Sequence, residues 1–396
     1  MSLAPPDGAT QGLPAPSAEA QAHSRRVVAH LVRIITEAGG WVSFADYMGE
    51  ALYAPGLGYY AAGARKFGAA GDYVTAPELT PLFGASVTAQ LAPILGQLRD
   101  GEVIELGPGT GRLAADILAA VAEQDCLPRR YRLLEVSPEL RERQRAQLAE
   151  RVPELAARVD WIDRLPERWY GVVIANEVLD SVPPHLVRLR DGTWLERGVT
   201  VDEAGRLAFA DRPLISGSLL DAACARFPAV EGDYLSEVNP AAEALVRSLA
   251  QRCGGGAMLL IDYGFPAAEY YHPQRSAGTL MAHYRHRALD DPFLWPGLAD
   301  LTAHVDFTAM ARAGVAGGMS VGGYTTQARF LLNCGLLDRL AQTGDPQSIA
   351  YLREASAVQR LTSPAEMGEL FKVLALIRGV EAGLIGFREG DQSHRL

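Results

Sequence analysis

The sequence predicts an α/β protein with a seven-stranded, mostly parallel sheet, helices on both faces, an N-terminal extension and an inserted, mainly helical lobe. Three observations carry that expectation. Val103-Ile104-Glu105-Leu106 has the character of a short buried strand, and Gly107-Pro108-Gly109-Thr110-Gly111 that of a glycine-rich turn. Leu113, Ile117, Leu118 and Val121 then fall on one face at helical spacing. Further apolar runs, such as Gly171-Val172-Val173-Ile174-Ala175 and Ala257-Met258-Leu259-Leu260-Ile261, alternate with helical segments, as a parallel sheet requires.

Along the chain, residues 1–22 are rich in Ala, Pro, Gly and Ser and hold no Lys or Arg. They lack the marks of a secretory signal or a mitochondrial presequence, which predicts a disordered tail on a cytoplasmic, bacterial protein. An amphipathic helix is expected from near Ser24, carrying Val27, Val28, Leu31, Ile34 and Ile35. An aromatic, Gly- and Pro-rich loop fills the forties to seventies, and a helix from about Thr80 to Leu98 leads into the first strand. Residues 138–151 are expected to be helical, and a short strand follows around 158–162. Between 185 and 210 the pattern is that of antiparallel hairpins, with Asp191-Gly192 as a turn signal. A helical stretch to about Cys253, a polar loop region over 265–305 and helices over 306–314 and 324–360 complete the expected lobe. Phe371-Lys372-Val373-Leu374-Ala375-Leu376-Ile377 is expected as a last, antiparallel strand.

The expected domains are therefore a tail (1–22), an extension (23–100), a ligand-binding core (101–264, with an insertion at about 185–256), a substrate-side lobe (265–370) and a final strand with the C-terminus (371–396). The net charge of −10 excludes a nucleic-acid backbone as the main partner, since that needs a cationic surface. No run approaches 18 apolar residues, so no membrane span is expected. Cys126, Cys224, Cys253 and Cys334 form no C-x-x-C pair, which suits reduced thiols better than a disulfide frame or zinc site.

Glycines at 107, 109 and 111 let the backbone pass close to a ligand, so a nucleotide-like cofactor is expected across this turn. Position 112 is Arg rather than the third glycine of the dinucleotide pattern, and the phosphate loop is absent. What stands is E-x-G-x-G-x-G, which resembles the first motif of class I, Rossmann-like S-adenosylmethionine methyltransferases. That cofactor carries no phosphate, and its ammonium group favours an acid, which Glu105 can supply. Glu135, about 24 residues beyond Gly111 at the end of the next strand, falls near the roughly 20-residue step at which such folds place a ribose-binding carboxylate.

The fourth strand ends in Asn176-Glu177-Val178-Leu179-Asp180. If that turn is helical, Glu177 and Asp180 share a face. Two carboxylates can hold a guanidinium by bidentate hydrogen bonds and aim one nitrogen at a methyl group. The competing reading is that Asn176 or Asp180 caps a following helix. His283, His286 and His304 show no metal-ligand spacing, and no metal is expected. His304, beside Asp306, is the histidine best placed to line an acceptor pocket, and Asp262 and Tyr263 stand at a strand end.

Several segments together resemble the MidA family of methyltransferases, whose mitochondrial members assist assembly of respiratory complex I. They include Gly58-Tyr59-Tyr60, Gly71-Asp72-Tyr73-Val74-Thr75-Ala76-Pro77-Glu78, the 105–111 turn, Ala175-Asn176-Glu177-Val178-Leu179-Asp180, Ile261-Asp262-Tyr263-Gly264 and Asp300-Leu301-Thr302-Ala303-His304-Val305-Asp306-Phe307. The resemblance implies S-adenosylmethionine as cofactor and methylation of arginine on a protein, giving symmetric dimethylarginine on a complex I subunit in the mitochondrial members. It makes Thr75, Pro77 and Glu78 covers over the cofactor or acceptor. Val178-Leu179 in place of an aromatic pair and Ala76 in place of Ser are small departures. A methyltransferase with a small-molecule acceptor and a cofactor-binding assembly factor without turnover remain open beside it.

Overall fold

The computed structural model of the protein describes residues 13–61, 75–98, 100–124, 126–230 and 232–396. Its chain divides into two units, one of Val74–Leu179, Glu243–Pro266 and Val305–Leu396, the other of Met1–Tyr73, Asp180–Ala242 and Ala267–His304.

The first unit is the α/β core. Its sheet runs in the order Ser320–Thr326, Phe371–Arg378, Cys253–Phe265, Trp169–Asn176, Glu102–Leu106, Tyr131–Leu134, Val159–Ile162. The short strand Val305–Asp306 pairs with Cys253–Phe265 outside that path, so the expected seven strands become eight among the described residues. The five strands from Cys253–Phe265 to Val159–Ile162 are parallel to one another, while Phe371–Arg378 is antiparallel to both of its neighbours. Their apolar runs are continuous because helices cover both faces. Phe83, Val87, Leu91, Ile117, Leu118 and Val121 pack with Val103, Val172 and Leu259 in one buried cluster. Gly171 and Gly256, paired across two central strands, approach so closely that a Cβ on Gly256 would lie 1.9 Å from the Gly171 carbonyl oxygen.

Strand order decides where a ligand goes. From Glu102–Leu106 the chain moves outward through Tyr131–Leu134 and Val159–Ile162, then returns to place Trp169–Asn176 on the other side of Glu102–Leu106. That reversal opens a crevice at the carboxyl ends of the two strands. The turn at 107–111 and the turn at 176–179 both leave from it.

The second unit corrects the expectation of a mainly helical lobe. It is built on an antiparallel five-stranded sheet, Val42–Ser43, Thr193–Val201, His185–Arg190 and Asp233–Val238 with Leu207–Pro213 beside Thr193–Val201, and on a three-stranded sheet of Arg287–Leu289, Met281–Tyr284 and Asp300–Thr302. Helices Ala18–Glu37 and Phe44–Tyr53 contribute Val27, Leu31, Ile35, Phe44, Tyr47 and Met48 to the core of this unit. The expected turn at Asp191-Gly192 is present with φ of 49° and 76°, the left-handed pair that a two-residue hairpin needs.

Other boundaries also move. The first helix begins at Ala18, capped by Ser17, rather than near Ser24, because its opening turns are polar and carry no apolar period. Residues 18–22 are thus helix rather than tail; residues 1–12 and the segment 71–74 lie outside the described residues. The stretch expected to be helical before Cys253 contains the strand Asp233–Val238, and the loop expected over 265–305 holds the three-stranded sheet. The expected helix from 324 begins as the strand Ser320–Thr326, whose glycines hid its alternation; a Cβ on Gly323 would strike the ring of Phe387 at 2.4 Å. Residues 305–370 belong to the core unit, not to a separate substrate-side lobe.

Candidate active site

Gly107, Gly109 and Gly111 all take positive φ, 56°, 53° and 85°. Side chains are disfavoured by this conformation, and space is tight as well: a Cβ would lie 3.0 Å from Val178 at position 107 and 3.2 Å from Gln144 at position 111. Gly111 caps the helix Arg112–Glu123, and its N–H donates to the Pro108 carbonyl at 2.8 Å. Thr110 Oγ1 donates to Glu78 Oε1 at 2.5 Å, which ties the short helix Ala76–Leu79 to the glycine turn. Thr75 is the residue before that helix, and Pro77 is buried within it.

Glu105 faces the interior. It is 2% exposed, and its Oε2 accepts the Tyr131 hydroxyl at 2.6 Å. Burial pushes its carboxyl up to about 8, against the lowering effect of that hydrogen bond. Burial thus favours the protonated acid over the carboxylate at this position. Tyr131, which the sequence reading passed over, fills the partner role.

Glu135 follows the strand Tyr131–Leu134 directly and is buried. Its Oε1 accepts the Ser137 N–H at 2.8 Å and its Oε2 accepts Gln144 Nε2 at 3.2 Å. Burial raises its carboxyl above the usual range, and these bonds oppose the rise. Gln144 also donates to the Gly109 carbonyl at 2.9 Å, so one side chain holds both the acid and the turn. Sequence reasoning missed it. The one available signal was an uncharged polar residue at the buried face of an otherwise charged helix, Pro138–Arg151.

No helix follows the fourth strand. Residues 177–184 form turns and an extended lead into His185–Arg190, which removes both the shared helical face of Glu177 and Asp180 and the capping alternative. Glu177 instead has φ of 53°, a left-handed conformation that a non-glycine residue holds only when its surroundings enforce it. The enforcement is visible. Its N–H donates to the Ile261 carbonyl at 2.9 Å, and Asp262 Oδ2 accepts the N–H groups of Val178 and Leu179 at 3.1 and 2.9 Å. Glu177 Oε1 accepts the Ala76 N–H at 3.3 Å and Asn176 Nδ2 at 3.2 Å. Asn176 Oδ1 is buried, and among the described residues no donor reaches it.

Asp180 and His304 belong to the other unit. Asp180 is 6% exposed, and its carbonyl accepts the Ala303 N–H at 2.9 Å. The His304 N–H donates to Thr279 Oγ1 at 3.0 Å, and Thr279 is held by the buried Glu237 carboxylate. Asp306 is the cap of the helix Phe307–Ala316, accepting the Ala309 N–H at 3.0 Å.

A family model for S-adenosyl-L-methionine-dependent methyltransferases matches residues 85–325. The chain belongs to this family. Mitochondrial relatives named protein arginine methyltransferase NDUFAF7 are similar over most of their length. The one from Drosophila melanogaster, named a homolog, is 32% identical, with 87% of this chain and 83% of that protein covered; the one from Danio rerio is 30% identical, with 89% and 87% covered. A crystal structure from Burkholderia thailandensis bound to S-adenosyl-homocysteine is 48% identical, covers 97% of this chain and 100% of its own, and superposes with a TM-score of 0.94.

The cofactor of this methyltransferase is therefore S-adenosyl-L-methionine, and the donor set at the crevice suits it. A left-handed glycine turn admits close approach, a buried carboxylate at 135 can accept hydroxyl protons, and the orphan Asn176 Oδ1 can accept an N–H. Arg112, the cation nearest the turn in sequence, is engaged with Asp116 at 2.8 Å, as suits a ligand without phosphate. Asp262, 1% exposed, anchors the turn at Val178 and Leu179. Asp262→Ala is expected to cost about 1–3 kcal/mol for each N–H it strands. A thermal melt lowered by several degrees would register that loss; an unchanged midpoint would mean the turn is held by other bonds.

Proposed function

We propose that this methyltransferase transfers the methyl group of S-adenosyl-L-methionine to an arginine guanidinium of a protein. The observation that carries the reading is Glu177, a carboxylate held in a left-handed turn at the carboxyl end of the strand beside the glycine turn. When bound, the cofactor supplies an electrophilic methyl on a sulfonium. Guanidinium has a pKa above about 12, so it must be oriented rather than simply deprotonated. Glu177 accepts its N–H groups, localises positive charge towards the carboxylate, and leaves another nitrogen to take the methyl as the carbon–sulfur bond breaks, that nitrogen losing its proton to solvent. Glu135 accepts the ribose hydroxyls, Gly107, Gly109 and Gly111 line the cofactor, and Asn176 receives an N–H from it or from the acceptor. Thr75, Pro77 and Glu78 close over the crevice through the Thr110 bond. With no helical face to pair it with Glu177, Asp180 is given no part in holding the guanidinium, and neither is His304. Support for a protein acceptor comes from the relatives named protein arginine methyltransferases, and the family resemblance of the sequence motifs adds a respiratory complex I subunit as a candidate.

The test is transfer of labelled methyl from S-adenosyl-L-methionine to extracts of a strain lacking the gene, followed by acid hydrolysis and separation of methylarginines. Label in methylarginine on a discrete protein supports the reading. Label only in a small-molecule fraction replaces it with a small-molecule acceptor. No label, with normal S-adenosyl-homocysteine binding, points to an assembly factor without turnover.

A further inference from the structure

Gln144 is fully buried on a helix whose sequence is otherwise mostly charged, and a buried amide is tolerated only when its polar atoms are paired. Here both N–H donors and the carbonyl oxygen are engaged. Nε2 donates to Glu135 Oε2 and to the Gly109 carbonyl, and Oε1 accepts the Trp161 indole N–H at 2.8 Å. An indole N–H can only donate, so it forces the amide oxygen towards Trp161 and the NH2 group towards Glu135 and Gly109. The helix bearing Gln144 packs against the turn as well, because the space where a Gly111 side chain would project is occupied by Gln144 Cα, Cβ and Cγ. Trp161 lies on Val159–Ile162, the strand next to the one that ends at Glu135.

We propose that Gln144, oriented by Trp161, is a positioning residue of the cofactor site, setting the Glu135 carboxylate and the glycine turn in the arrangement that recognises the ribose hydroxyls. The inference rests on the reading of Glu135 as the ribose acceptor. It makes recognition of the sugar depend on Trp161 as well, through the orientation of one amide. A purely packing role for Gln144 would affect stability without altering which sugars are preferred, and that difference is measurable.

The experiment uses the full chain and three probes: S-adenosyl-homocysteine by calorimetric titration, and adenosine against 2′,3′-dideoxyadenosine by competition. Wild type should prefer adenosine, and Glu135→Ala should erase the preference. Gln144→Leu should weaken S-adenosyl-homocysteine about ten- to a hundredfold, the range for a hydrogen bond to a charged group, and erase the preference too. Combining it with Glu135→Ala should add little, because both changes remove one interaction. Trp161→Phe should reduce the preference part-way. If Glu135→Ala erases the preference while folded Gln144→Leu and Trp161→Phe keep it, the positioning role is wrong and Gln144 is packing. If Glu135→Ala itself keeps the preference, the ribose reading falls first and the positioning role with it. Should Gln144→Leu fail to fold, Trp161→Phe decides: a reduced preference upholds the role and an intact one overturns it.

Discussion

Glu177→Gln is expected to lower methyl transfer by about a hundredfold or more while leaving S-adenosyl-homocysteine affinity within about twofold, in line with losses seen when a preorganised electrostatic group is removed. The substitution is chosen for what it keeps. A glutamine Oε1 can still accept the Ala76 N–H and the Asn176 amide, as the Glu177 carboxylate does, so the turn and the 76–79 helix stay tied. Its backbone cost at φ of 53° is close to that of glutamate, since both are unbranched at Cβ. What is lost is charge, the property a guanidinium needs in its partner. Glu177→Ala would be a poorer test, because it also strands the Ala76 N–H. Turnover by Glu177→Gln within a few-fold of wild type, with normal cofactor binding, would remove Glu177 from the mechanism and leave orientation of the acceptor to other groups.

The core was legible because a parallel sheet covered on both faces writes itself as continuous apolar runs. Val103 to Leu106, Gly171 to Ala175 and Ala257 to Ile261 all fall on central strands where expected. The glycine turn was legible for a related reason: three positions need a conformation that glycine takes most easily. The lobe was legible only in its hairpins over 185–210, because other antiparallel strands such as Asp233–Val238 and Asp300–Thr302 carry too few residues for an alternation to stand out. The turn at 176–180 misled differently. Spacing alone suggests a helical face for Glu177 and Asp180, but the left-handed backbone at Glu177 is imposed from another strand, by Ile261 and Asp262, which lie about 85 residues away in sequence. Gln144 and Tyr131 escaped notice for the same reason: each matters through a partner that is remote in sequence.

Glu105→Gln is expected to raise stability at alkaline pH and flatten its pH dependence. The carboxyl titrates near 8 in the folded protein and near 4.5 when exposed to water. Below both values it is protonated in both states and contributes no slope. Between them the folded state holds a proton that the unfolded state has released, so stability falls as pH rises, by up to about 1.4 kcal/mol per unit, and levels off above 8. Asp116, Glu135 and Glu237 are also raised by burial, so the wild-type curve sums several such slopes; only the difference between variant and wild type isolates position 105. An amide of the same shape never ionises and can keep the Tyr131 hydroxyl bond, so the two melting curves should run parallel below about pH 4, separate progressively from there to about pH 8, and run parallel again above it. Parallel curves across that range would mean that Glu105 is ionised in the folded protein after all. The same titration bears on the cofactor. If the ammonium of S-adenosyl-L-methionine acts on Glu105, binding at pH 7 must expel the carboxyl proton, and calorimetry in buffers of different ionisation enthalpy would show a release that Glu105→Gln abolishes. If Tyr131 remains its partner, no such release occurs at position 105, and the acid at the strand end serves the fold rather than the ligand.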